Sequence, residues 1–152
     1  MEYTTGAVGR CVCIRLYEDD KVYDSIQEVA EKEGIASAVV FIIGGVKNGS
    51  VVVGPIDQDE RPLKTIVKRF DDAREIAGIG TLFKNEAGEI KLHMHASIGK
   101  GSEPIVGCPR LGLDCWLVNE VIVIELLGLN AVRAKEGGGS GLELLKFLTP
   151  KR

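Results

Sequence analysis

The stretch Glu18–Ile56, EDDKVYDSIQEVAEKEGIASAVVFIIGGVKNGSVVVGPI, changes its period halfway along. In the first half Val22, Ile26, Val29 and Ala30 fall at i, i+4, i+7 and i+8, one stripe of a helix. Asp19 or Asp20 can cap the start of that helix, and Gly34 can end it in the left-handed conformation. From Ile35 onward the helical period is gone and the chain is continuously apolar, which reads as two strands. They join around Lys47-Asn48-Gly49-Ser50, where Asn-Gly is a strong hairpin signal.

Strand patterns continue on both sides of this stretch. Gly9–Tyr17 is rich in Cys, Val and Ile and reads as a strand before the helix. After the polar loop Asp57–Pro62 come Leu63–Phe70, Ile76–Phe83, Ile90–Ile98 and Leu117–Leu127, with a tight turn at Asn85–Glu89. Gly137–Gly141, GGGSG, reads as a flexible link before Leu142–Leu148, a last strand or short helix. One principal helix amid about seven or more strands predicts an α+β domain, residues 1–152, on a mainly antiparallel mixed sheet.

Composition narrows the function classes. Hydrophobic residues make up 45% and charged residues 27%, as in ordinary globular chains, so general disorder is excluded. The longest apolar runs, Ser37–Val46 and Val121–Leu129, fall short of the roughly 20 residues that span a bilayer. The first ten residues show no basic start followed by an apolar block, so the expected compartment is the cytoplasm and no membrane partner is expected. A net charge of −3 and a pI near 5.5 predict at most weak, salt-sensitive DNA binding, because phosphate neutralisation supplies most sequence-independent affinity. Four cysteines in such a chain point to thiols or metal ligands rather than disulfides. Cys11 and Cys13, on one face of the first strand, read as two small core residues.

The chain has two histidines, His93 and His95, and they stand two residues apart. In a strand, i and i+2 project to the same face, so both imidazoles can converge on one ion. Cys108 is placed to supply a third donor, because Gly99–Pro104 reads as a turn that brings the chain back. Asp114 and Cys115 are weaker candidates for a fourth ligand. Taken alone, the histidine pair reads as two polar side chains on a half-exposed face; the nearby Cys108 and the lack of any other histidine turn the reading toward a metal. No nucleophile elbow, phosphate-binding Gly-Lys loop or dinucleotide fingerprint is visible.

Five segments in this order, Asp24–Val46, Glu75–Leu82, Lys91–Lys100, Ile105–Cys108 and Asn119–Arg133, resemble the plant and prokaryote conserved (PPC) domain family. The likeness runs from about Gly9 to Leu148. It implies a mixed α/β fold that assembles as a homotrimer. It also implies a site in which an H-x-H strand is followed by a third histidine; Cys108 stands at that position here. Cysteine keeps a zinc ligand but makes it anionic and softer, which favours zinc over iron or manganese. The family tends to carry an acidic residue at Glu120, the candidate catalytic carboxylate. Plant members usually follow an AT-hook, and no such motif is present here. Two functions follow as expectations: a metal-containing trimeric binding or regulatory module with a protein or DNA partner, or a small zinc-dependent hydrolase or lyase acting on a soluble metabolite.

Overall fold

The computed structural model describes residues 1–135 and 140–151. The element order is β1 (Ala7–Tyr17), α1 (Val22–Lys32), β2 (Ser37–Lys47), β3 (Gly49–Pro55), β4 (Thr65–Phe70), β5 (Arg74–Lys84), β6 (Ile90–Lys100), β7 (Glu103–Gly107), β8 (Asp114–Leu127), β9 (Ala131–Lys135) and β10 (Glu143–Phe147). Six strands form the main sheet in the order β1-β8-β2-β5-β6-β7, and β3-β4 and β9-β10 are two-stranded ribbons. All pairings between these strands are antiparallel, and an isolated parallel bridge joins Asn85 to Arg133 of β9. The one-helix, antiparallel α+β architecture is therefore as the sequence predicts. Leu142–Leu148 resolves to a strand, and the Gly137–Gly139 part of the expected link lies outside the described residues.

The α1 stripe is real: Val22, Ile26 and Ala30 are buried on the inner face of the main sheet. They meet side chains that alternate inward, among them Leu16, Ile42, Leu82, Met94 and Val121. Gly34 ends the helix at φ 67°, and the next amide, Ile35 N–H, donates back to Ala30 O at 2.8 Å. The start differs from expectation. Lys21 occupies the cap position with no side-chain cap. The Asp20 carboxylate turns away to accept from Tyr17 N–H at 2.8 Å. Val22 N–H donates to Leu113 O at 3.1 Å, so the helix start is fastened to the segment before β8 instead.

Asn48-Gly49 is a corner, not a hairpin. Asn48 takes φ 50°, as the turn signal requires, but β2 pairs with β5 and β8 while β3 pairs with β4. Both edges of β2 are occupied, so the chain leaves the main sheet here.

Among the described residues the outer face of the main sheet carries no helix. The pairing registers align side chains across it in rows. One row runs Cys13, Ile122, Phe41, Ile79, His95; the next runs Cys11, Ile124, Val39, Thr81, His93. Cys11 and Cys13 are thus exposed rather than core, because β1 turns Ile14 and Leu16 inward and its cysteines outward. All four cysteines are free. Among the described residues no helix is long and apolar enough to cross a membrane.

Candidate metal centre

His93 and His95 stand on β6 with burial alternating around them: Leu92, Met94 and Ala96 face the core and the two imidazoles face out. Their ring centroids are 5.1 Å apart and the planes nearly perpendicular, at 88°. The hairpin read at Gly99–Pro104 forms as β6-β7, with Lys100 opposite Glu103. It returns the chain to Cys108, which is 4% exposed. Cys108 and Val52 exchange both backbone hydrogen bonds at 2.9 Å, which fastens the cysteine to β3. Gly107 makes this approach possible, since a Cβ there would lie 2.2 Å from Val52 O.

One donor atom from each of His93, His95 and Cys108 lies within 4.8 Å of the others. Donors around a tetrahedral zinc are about 3.3–3.7 Å apart, given Zn–N near 2.0–2.1 Å and Zn–S near 2.3 Å, so small side-chain rotations close the set. A second observation fits a metal-bound thiolate. The buried Tyr23 hydroxyl lies beside Cys108 and has no hydrogen-bond partner of regular geometry. A thiolate would accept from it, the kind of outer contact that metal ligands ordinarily have. Desolvation, reinforced by Arg133, His95 and Arg110, holds the His93 pKa down to about 4, so its donor nitrogen stays unprotonated well below the usual histidine range.

The three residues line a cavity of about 770 Å³ between the outer face of β6, the β3-β4 ribbon and the β9-β10 ribbon. Its walls are mostly apolar, with Val53, Leu63, Val106 and Leu144 among them, and its cations are Lys91, Arg110 and Arg133. These arginines escaped the sequence reading. The available signal was Ala131–Lys135, a strand-like run with Arg133 in its middle.

The other candidates are elsewhere. Glu120 is exposed on β8, which β2 and β5 separate from β6, a distance of about 14 Å at the usual strand spacing. It does not line the cavity. Asp114 is engaged by Lys21 at 2.7 Å and Asn48 at 3.3 Å. Cys115 faces the core at 0% exposed, and burial pushes its thiol pKa up. Neither reaches the cluster, because both sit at the start of β8 opposite Lys47 and Val46.

The sequence profile of the Plants and Prokaryotes Conserved (PCC) domain matches residues 3–127. The chain belongs to that family. Among solved structures, the metal-containing protein of Archaeoglobus fulgidus is similar at 25% identity and TM-score 0.82, covering 95% of this chain and 98% of its own. A plant- and prokaryote-conserved protein of Pyrococcus horikoshii is similar at 26% identity and TM-score 0.75, covering 98% and 99%. A protein of Ralstonia eutropha JMP134, provisionally named as DNA-binding, shares the fold at 20% identity and TM-score 0.67, covering 89% and 90%. No curated protein matches the chain.

Proposed function

We propose that the chain is a metal-containing homotrimeric binding module in which His93, His95 and Cys108 hold one zinc ion. The observation that carries this reading is the approach of three donor atoms to within 4.8 Å at the wall of a cavity. The likeness to the metal-containing archaeal protein supports it. The mixed nitrogen and sulfur donor set favours zinc over harder divalent ions. The trimer is supported by the outer sheet face, where Phe41 is 40%, Ile43 57% and Ile79 61% exposed in one contiguous patch. DNA is a weak partner in this reading, since a net charge of −3 leaves little phosphate-neutralising surface. The cytoplasm is the compartment that suits its free thiols.

The cavity supports a second reading, a zinc-dependent hydrolase or lyase. With three protein donors a zinc ion keeps a fourth position for water, whose pKa falls to about 7. Glu120 does not face that position, so a general base would have to come from elsewhere, such as a neighbouring copy. Elemental analysis of protein purified without added metal, with anomalous scattering from its crystals, tests both readings. About one zinc per chain at the His93–His95–Cys108 cluster is expected. Protein that is metal-free and takes up no zinc on dialysis removes both.

A further inference from the structure

Arg133 is only 6% exposed, yet its guanidinium is incompletely satisfied. Nη2 donates to Thr81 Oγ1 at 2.7 Å, while the buried Nε–H has no partner among the described residues. The Phe83 ring lies 6.0 Å from its central carbon and offers no acceptor atom. No described carboxylate forms an ion pair with it; the Cys108 sulfur and, more weakly, Glu143, both on the same cavity wall, exert only a longer-range attraction. A cation left in this state is costly, because burial removes its hydration and nothing replaces it in full. The side chain nonetheless opens onto the cavity that holds the histidine pair. Arg110 lines the same cavity, and both arginines act electrostatically on His93. Lys91 is less available, since its ammonium group is paired with Glu89 at 2.9 Å.

We propose that this cavity binds a small organic anion, a carboxylate or phosphate monoester with an apolar body. The head sits on Arg133 and Arg110, and the body lies along Val53, Pro55, Leu63, Leu142 and Leu144. The planar guanidinium matches the paired oxygens of either head, and its Nε–H lacks an acceptor among the described residues. A largely apolar cavity of about 770 Å³ is of the size that encloses one small molecule. The inference rests on the metal reading only in sharing its cavity, and it names the ligand class for that site.

The test uses the protein as purified and after stripping with a chelator, with metal content measured on both. Hexanoate and hexyl phosphate are titrated, with hexanol as the neutral control, while the Arg133 Nε–H resonance is followed by NMR. At least one anion is expected to bind saturably and shift that resonance, with hexanol about tenfold weaker or worse. Arg133→Met should weaken anion binding by about ten- to a hundredfold and leave hexanol unchanged, as loss of a charged hydrogen bond predicts. Arg110→Ala, at an exposed position, should weaken it severalfold and remains informative should the first variant fail to fold. The inference is overturned when neither anion shifts the resonance, when hexanol binds as well as the tighter of the two anions, or when binding vanishes on stripping yet survives Arg133→Met. Failure of the metal reading shows separately, as wild-type protein without zinc.

Discussion

Arg133 on β9 and Thr81 on β5 are 52 residues apart and joined by a 2.7 Å hydrogen bond. Thr81 is the register partner of His93, so this bond sets the last ribbon beside the strand that carries the histidine pair. It leaves the buried Nε–H of Arg133 without a partner among the described residues.

Thr81→Val keeps the shape and removes the acceptor. A buried charged group then loses its one described hydrogen bond, which costs about 1–3 kcal/mol. For a domain of this size, calorimetry should show a melting temperature lower by about 2–4 °C for each kcal/mol lost. An unchanged melting temperature would mean that water or the solvent serves Arg133 equally well.

The proposed metal ligands can be separated by substitution. His93→Ala or His95→Ala should cost most of the bound zinc, and Cys108→Ala should weaken retention. Cys108→His should keep the ion, since imidazole is an equally good zinc donor. Elemental analysis reads all four. Cobalt substitution adds a signature: the thiolate charge-transfer band should be present in the wild type and absent from Cys108→His. Protons compete with zinc for its donors. In the metal-free chain His93 enters that competition only near pH 4, below the ordinary histidine range near 6.5.

The acid limb of stability should report Glu125. Arg10 donates to its carboxylate through Nε at 2.9 Å and Nη2 at 3.0 Å. These bonds hold its pKa down to about 2 from an ordinary 4.5. The folded pKa is the lower one, so the unfolded chain binds the proton first as pH falls. The contribution is full above about 4.5 and is lost as pH falls toward 2. Denaturant titrations of Glu125→Gln should therefore lack this part of the wild-type decline. An equal decline in both proteins would assign it to other carboxylates.

Assembly can be tested on the exposed sheet face. Ile79→Lys places a charge in the middle of the Ile122–Phe41–Ile79–His95 row. Light scattering should give three chains for the wild type at micromolar concentration and one for the variant. A monomeric wild type would remove the trimer.

DNA binding should be weak. Fluorescence anisotropy with AT-rich duplex should show little binding at physiological salt and a rise only at low ionic strength. Tight binding at physiological salt would expose a basic surface that the net charge conceals.

Local features were legible in the sequence to the extent that they depend on neighbours along the chain. The α1 stripe, the Gly34 stop and the β6-β7 return are of this kind, and the H-x-H pair with Cys108 follows from the last. What remained hidden depends on which face of a strand is covered. In β2 both alternating sets are apolar, Ala38, Val40 and Ile42 inward and Val39, Phe41 and Ile43 outward, so a period of two cannot say which is core. The same ambiguity hid the orientation of Cys11 and Cys13. Asn48-Gly49 announced a turn correctly, but pairing partners depend on β5 and β8, which lie far along the chain. Arg133 became a cavity residue only through its distant contacts with Thr81 and Phe83.

The position of the cysteines divides the four thiols into two kinetic classes. Cys108 and Cys115 are shielded inside the chain, whereas Cys11 and Cys13 lie on the open side of the sheet, at the end of the rows farthest from the histidines. An alkylating reagent should therefore modify two sulfurs quickly and two slowly in a lone chain. Any copy seated over the outer rows would slow the fast pair while leaving the slow pair as it was. The fast pair would thus report chemically on the proposed trimer, readable by mass spectrometry without an engineered label.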